Sequence, residues 1–107
     1  MIPSVGRIVH VTLSASMAQA INKRRHDASS NLNKHYTDAD GSQIHVGNYA
    51  EEGQVYPMII TRVWGEPREY AGVNGQIFLD GNDVYWGTSI GPKTEANPWG
   101  WFEPPRV

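Results

Sequence analysis

The sequence predicts a small, mostly β domain with a single helix. Its 107 residues suffice for one modest hydrophobic core. Its 11 glycines and 7 prolines indicate many turns. Short segments of alternating apolar residues, each bounded by turn-forming residues, are typical of strands. We therefore expect one domain that spans residues 1–107.

The composition argues against several classes of protein. No cysteine is present, so the chain has neither a disulfide framework nor a thiolate metal site. A net charge of -2 and a pI near 6.0 argue against general nucleic-acid binding, which needs a broad basic surface. No apolar run approaches the ~20 residues that span a bilayer, and the N-terminus lacks a signal-peptide pattern. We expect a protein inside a cell with no membrane partner.

The chain begins with a predicted strand and continues into a predicted helix. Residues Gly6–Leu13 are rich in β-branched side chains, and their alternation gives a core set of Val9, Val11 and Leu13. Ser14 then stands where an N-cap belongs. The composition that follows predicts a helix over Ala15–Asp27.

The predicted helix carries the only cluster of positive charge, formed by Lys23, Arg24 and Arg25. Such a cluster is either a solvated helix surface or a contact for an anionic ligand or an acidic partner. The sequence leaves both interpretations open. After the helix, the Ser, Asn, Asp and Gly content of Ser29–Gly53 predicts a long loop.

The strongest predicted strand spans Gln54–Trp64. Strict alternation places Tyr56, Arg62 and Trp64 on the same face of this strand. Because Pro57 has no N–H to donate, it must lie at an edge, at a bulge or near the start of the strand.

A hairpin is predicted over Leu79–Trp86, with Gly81 and Asn82 as its two-residue turn. That register makes Leu79 and Val84 core residues and pairs Phe78 with Tyr85 on the opposite face. Tyr85 and Trp86 then lie on opposite faces, so at least one of their rings should remain near a surface.

The chain ends in an aromatic run, residues 99–102, that predicts a last short strand, and Pro104 with Pro105 stops any ladder beyond it. The complete pattern is about five antiparallel strands with a helix inserted after the first strand. It favours a small SH3-like β-barrel of the α+β class.

Motifs for catalysis or metal binding are not found. The four histidines lack metal-ligand spacing, and the acidic turn at 80–83 lacks the other ligands of a calcium loop. The sequence has no nucleophile elbow, phosphate loop or paired catalytic acids. We expect no enzymatic activity, no catalytic residues, no cofactor and no metal.

Aromatic rings and arginines favour binding instead, because they stack on planar bases and pair with phosphates. The other interpretation is that most of these rings simply fill the core. A ligand pocket at the interface of a homo-oligomer is a further alternative. Ten residues are the candidate ligand-binding set: Tyr56, Arg62, Trp64, Asn82, Asp83, Tyr85, Trp86, Trp99, Trp101 and Arg106.

Five segments carry a resemblance to a known group of proteins. They are Met1–His10, Val46–Asn48, Val55–Pro57 with Arg62–Val63, Leu79–Asp83 with Tyr85–Trp86, and Pro104–Val107. Over nearly its whole length the chain resembles small proteins that are encoded by phages and prophages of actinobacteria.

This resemblance implies a setting rather than an activity. It implies a phage accessory protein in the host bacterial cytoplasm, or a minor part of the virion. Small phage β-domains often serve in particle assembly or in disabling host defences. We therefore expect a non-catalytic anti-defence protein that binds and sequesters a nucleotide-type ligand. The alternatives are a virion structural or adaptor protein and a protein inhibitor of a host enzyme.

Overall fold

The fold is an antiparallel sheet with one helix packed on one of its faces. The computed structural model describes the backbone of residues 1–36 and 47–105, and the side chains of residues 1–27 and 47–105. The elements in chain order are β1 (Ile8–Thr12), α1 (Ala15–Tyr36), β2 (Val55–Val63), β3 (Val73–Phe78), β4 (Val84–Ile90) and β5 (Trp101–Phe102). All strand pairs are antiparallel, in the order β4-β3-β2-β1-β5.

Within the described residues, the sheet is not closed into a barrel. Its edge strands are β4 and β5, and one isolated parallel bridge, between Pro92 and Trp101, joins the chain after β4 to β5. Because β5 has only two residues, it cannot form the ladder that closure requires. For the part of the chain that the structure describes, the mostly β class with one helix is confirmed, whereas the SH3-like barrel is not confirmed.

The first strand supplies the centre of the core, as predicted. Val9, Val11 and Leu13 are fully buried, while Ile8 on the other face is exposed. Helix α1 covers the buried face, because its Ala18 and Ile21 belong to the same buried cluster as the strand residues. The amphipathic alternation of β1 thus fixes which face of the sheet receives the helix.

Helix α1 begins where the sequence predicted and ends later. The backbone N–H of Met17 donates to Ser14 Oγ at 3.2 Å, which is the expected N-cap bond. The helix then continues past Asp27 to Tyr36, so residues 29–36 are helical rather than part of a loop. Ser and Asn disfavour helix by only about 0.5 kcal/mol each, too little to end it. The rest of the predicted loop lies partly in 37–46, outside the described residues.

A bulge in β2 separates residues that strict alternation would place together. The pairing of β2 with β3 shifts between Ile60 and Arg62, so Thr61 is the extra residue. Tyr56 packs against the core, whereas Arg62 and Trp64 are exposed beyond the bulge. The prediction that Tyr56, Arg62 and Trp64 share a face is therefore wrong.

Pro57 lies near the start of β2, one of the three places predicted for it. It pairs with His10 of β1. The ladder with β3 begins one residue later, at Met58 and Ile77. The missing N–H of Pro57 therefore falls where the β2–β3 ladder has not yet begun.

The hairpin register differs by one residue from the prediction. Val84 pairs with Phe78, and Tyr85 pairs with Ile77. Neither Gly81 nor Asn82 has the positive φ that a type I′ turn requires, and residues 79–83 form a wider connection. Leu79 is buried as predicted, but Val84 is 40% exposed, so its predicted core position is wrong.

Gly75 of β3 is packed closely against Met58 and Ile59 of β2, which provides a test of the core packing. A Cβ at Gly75 would lie 2.5 Å from Met58 Cγ and 2.7 Å from the backbone oxygen of Ile59. We expect Gly75→Ala to lower the free energy of unfolding by about 1–3 kcal/mol, since the backbone must shift to make room. Urea denaturation measures this change.

The matched control is Gly72→Ala, whose added Cβ would meet only the Ile90 oxygen at 3.8 Å, an ordinary contact. We expect it to change stability by less than about 0.5 kcal/mol. Equal effects of the two substitutions would contradict the packing described here.

Candidate functional site

The side of the sheet opposite α1, here called the outer face, carries an unusual amount of exposed apolar surface. Trp86 is 59% exposed, Trp64 is 43% exposed and Phe78 is 42% exposed. Large exposed apolar patches usually mark binding surfaces. The aliphatic residues that extend this patch are Ile8, Val55 and Val84.

Trp64 is held over β3 by a buried amide. Its Nε1 donates to Asn74 Oδ1 at 2.9 Å, and the same oxygen accepts from the backbone N–H of Ser89 at 2.8 Å. Asn74 is only 7% exposed, so its orientation is fixed by packing as well as by these bonds. The Arg62 guanidinium carbon lies 4.0 Å from the centre of the Trp64 ring, a cation–π contact. Arg62 and Trp64 therefore form a fixed pair.

Trp86 stands beside this pair on the same face. It pairs with Gln76 of β3, two residues from Asn74. Trp64 follows β2 and Trp86 belongs to β4, so the two indoles lie on opposite sides of β3, with the Asn74 and Gln76 side chains between them. Neighbouring strands are ~4.8 Å apart, so the backbones that carry the two indoles are separated by about 10 Å across the sheet.

Asp83 is bound by two arginines of α1, an arrangement here called the Asp83 clasp. Arg25 Nη2 donates to Asp83 Oδ1 at 2.9 Å, and Arg24 Nη2 donates to Asp83 Oδ2 at 2.7 Å. The Arg25 side chain is only 7% exposed, so its charge requires this carboxylate partner. The clasp ties the helix to the start of β4.

The clasp also changes the titration of Asp83. Burial raises the pKa of this carboxyl, but hydrogen bonds from Arg25 and Arg24 outweigh burial and hold the pKa below its ordinary value. The Asp83 carboxyl is therefore ionised at neutral pH.

The turn before Asp83 is anchored to a second segment. Asn48 Nδ2 donates to the Asp80 carboxylate at 2.6 Å, and the Asn48 backbone N–H donates to the Asp80 carbonyl at 2.9 Å. Arg25 Nη1 donates to the Asn48 carbonyl. These bonds hold residues 79–83 against residues 47–48. The turn is therefore fixed in place together with the Asp83 clasp.

The two predicted tyrosines face the helix side. Tyr56 packs against the core and donates from its hydroxyl to Gln54 Oε1 at 2.9 Å. Burial and the charge of Asp80 raise the pKa of Tyr56, against an opposite effect of Arg25. Tyr85 also packs against the core, and the Arg24 guanidinium carbon lies 5.8 Å from its ring centre. Both rings are on the opposite side of the sheet from Trp86.

The C-terminal tryptophans lie in two different environments. Trp101 is 4% exposed and donates from Nε1 to the Ala71 carbonyl at 3.0 Å, so it is part of the core. Trp99 is half-buried beside an open cleft of about 390 Å³ between the N-terminus of α1 and the end of β4. Arg106 lies outside the described residues.

The predicted set therefore divides among several places. Arg62, Trp64 and Trp86 lie on the outer face, and Asp83 belongs to the Asp83 clasp. Asn82 is an exposed residue of the turn. Sequence reasoning missed Asn74 and Gln76, which lie on β3 between Trp64 and Trp86 in the candidate site on the outer face. The alternation of β3 about the core residues Val73 and Ile77 could have identified them.

Two further searches of the described residues bear on function. Among the described side chains, those of residues 1–27 and 47–105, no group of three or more His, Cys, Asp or Glu is placed to hold a metal ion. In the described backbone, residues 1–36 and 47–105, no helix combines the length and the apolar character needed to cross a membrane.

Comparison with protein-family models, with curated proteins and with solved structures gave no match. The resemblance to actinobacterial phage proteins therefore stays a prediction from the quoted segments.

The clasp gives a test that depends on pH. We expect Asp83→Asn to lower the free energy of unfolding at pH 7 by about 3 kcal/mol, because it leaves the buried Arg25 charge unpaired. The depressed pKa makes the contribution of Asp83 full above its ordinary value of 3.8 and lost as pH falls through the folded-state value. Urea denaturation of both proteins at pH 7 and near pH 3 measures the difference.

The control removes an exposed ion pair from the same helix. Lys23 Nζ and Asp27 Oδ2 are 3.4 Å apart, with side chains 80% and 56% exposed. Asp27→Asn should cost less than about 0.5 kcal/mol at either pH. A wild-type advantage over Asp83→Asn that stays constant between pH 7 and pH 3 would rule out the ionised clasp.

Proposed function

We propose that this protein binds a small nucleotide-type ligand on its outer face and sequesters it without catalysis. The observation that carries the proposal is that two exposed indoles, Trp64 and Trp86, lie on one face on either side of the Asn74 and Gln76 amides of β3. Exposed aromatic rings beside a cationic side chain are platforms on which the planar bases of nucleotides stack.

Polar groups at this site suit the rest of a nucleotide. The Arg62 guanidinium forms no ion pair or hydrogen bond with the described residues, so it can receive a phosphate. Gln76 offers an amide donor and acceptor to the edge of the base. Base and phosphate would thus be recognised by neighbouring side chains of the same face.

The energetics set the expected affinity. A stacked base contributes ~1–3 kcal/mol per aromatic contact, and a charged hydrogen bond contributes ~1.5–3 kcal/mol. Two stacks and one arginine contact give about 3.5–9 kcal/mol before entropic costs, so after those costs the affinity should be micromolar or weaker. Tighter sequestration would require the open face to be enclosed further.

The biological setting follows from the sequence resemblance. We propose an accessory protein of an actinobacterial phage that acts in the host bacterial cytoplasm, where removal of a nucleotide signal would disable a host defence. Binding alone is sufficient for this role, so no enzymatic step is part of the proposal.

A second candidate is a structural or adaptor protein of the virion. Ile8 and Val55 favour it, since these aliphatic side chains are 53% and 47% exposed on the outer face and a nucleotide would not cover them. A protein partner would bury them together with Trp86, and tryptophan is a favoured anchor of protein interfaces. A protein inhibitor of a host enzyme would use the same surface.

The first prediction from this proposal concerns ligand binding. A thermal-shift screen with linear and cyclic nucleotides should find a ligand that raises the melting temperature by several degrees. For that ligand we expect Trp86→Ala and Arg62→Ala each to weaken binding about tenfold or more, because each removes one stacking or phosphate contact. Isothermal titration calorimetry measures the affinities.

The matched control is Tyr49→Ala. Tyr49 is a more exposed aromatic residue, at 73%, and it lies beside α1 on the opposite side of the sheet. Its removal should leave the affinity unchanged. A ligand whose affinity falls with Tyr49→Ala and not with Trp86→Ala would reject the outer face as the site. No shift with any nucleotide, together with the protein's presence in purified particles, would favour the virion role.

A further inference from the structure

The two edges of the sheet differ in their protection against pairing with another strand. The β5 edge is short, is followed by Pro104 and Pro105, and has the Lys93 ammonium 4.7 Å from the Phe102 ring centre. Short strands, prolines and lysines are the usual means of blocking an edge. Strand β4 has seven residues without a charge or a proline. In the part of the chain that the structure describes, β4 pairs only with β3.

The direction of the backbone groups of β4 follows from the ladder. The Ile60 N–H donates to the Arg7 carbonyl and the Leu13 N–H donates to the Gln54 carbonyl, so alternate residues of β2 bond to β1. Ile59, the neighbour of Ile60, therefore bonds to the other side, to its partner Gln76 of β3. Because the backbone N–H and C=O of Gln76 point toward β2, Gln76 and its partner Trp86 of β4 form a pair without mutual hydrogen bonds. The N–H and C=O of Trp86 therefore point away from β3, along the open edge.

The regular part of this edge is short, and Trp86 is its middle residue. Toward its start, the Val84 carbonyl accepts from Arg24 Nη2 at 2.8 Å. Toward its end, Ser89 has a positive φ of 52° and the register with β3 shifts. Residues 84–88 are thus a regular segment whose middle residue is Trp86.

We propose that this edge pairs antiparallel with β4 of a second copy of the chain, about a two-fold axis at Trp86. A two-fold axis places the same segment on both sides of the interface. Because β4 carries no charged residue, two copies can pair without repulsion between like charges. Trp86 would then exchange two backbone hydrogen bonds with the same residue of the second copy. This proposal goes beyond the proposed function and does not depend on it.

The side chains on the outer face would add to the backbone bonds. The Trp86 indole is 59% exposed, and its neighbour Val84 is 40% exposed. Side-by-side pairing covers part of each indole, which offers ~200 Å² of surface. The total is below the ~800 Å² per subunit of a standard interface. A dimer that dissociates on dilution is therefore expected, and a peptide from another protein would be an alternative occupant.

The experiment measures mass and amide exchange over one dilution series of the full chain. Sedimentation velocity from about 1 to 500 µM should show a mass that rises toward twice 11.9 kDa. Over the same range, the Trp86 amide should change from fast to slow hydrogen exchange. The amides of Tyr85 and Gly87 face β3 and serve as internal controls, because their protection should not depend on dimer formation.

Two variants separate this proposal from ligand binding. Trp86→Pro removes the outward N–H while leaving the β3–β4 hydrogen bonds, so it should give a folded monomer with a protected Tyr85 amide. Trp64→Ala should weaken nucleotide binding about tenfold or more and leave the dimer intact. The proposal is overturned by a wild-type monomer throughout the series, with or without a bound peptide, or by a dimer whose Trp86 amide exchanges freely. If Trp86→Pro fails to fold, the wild-type exchange data still decide.

Discussion

The contact of Asp83 with Arg24 and Arg25 organises the rest of the molecule. A carboxylate placed directly before β4 receives a buried guanidinium from α1, so the connection between β3 and β4 is drawn toward the helix. The wider turn that results shifts the hairpin by one residue from the register of a two-residue turn. Because side chains alternate along a strand, this single step exchanges the faces of every residue in β4.

The exchange of faces determines which aromatic side chains are exposed on the outer face. Tyr85 joins the core on the helix side, and Trp86 moves to the outer face with Arg62 and Trp64. The bulge at Thr61 has a parallel effect in β2, since it turns Arg62 away from Tyr56. Two irregularities in one sheet thus move an arginine and two indoles to the outer face, whereas strict alternation and a two-residue turn would have placed all three on the helix side.

The sequence predicted what depends on local pattern. Five strands, one helix, the buried face of β1 and the Ser14 cap follow from alternation and capping chemistry, which act within a few residues. The hairpin register could not be predicted, because Asp83 meets Arg25 across 58 residues of chain. Composition also could not distinguish Trp101, which is buried in the core, from Trp86, which is exposed. Of the residues of the candidate outer-face site, Arg62, Trp64 and Trp86 were therefore in the set predicted from the sequence, whereas Asn74 and Gln76 were not.

Every functional statement depends on Trp86 lying on the outer face, opposite Gln76. The most direct measurement is a nuclear Overhauser spectrum of the Hα protons across β3 and β4. In a pair without mutual hydrogen bonds the Cα atoms are ~4.5 Å apart, and the two Hα protons are in close contact. We predict strong Hα–Hα contacts from Gln76 to Trp86 and from Phe78 to Val84. Contacts from Ile77 to Trp86 and from Leu79 to Val84 would instead contradict the register and, with it, the proposed site.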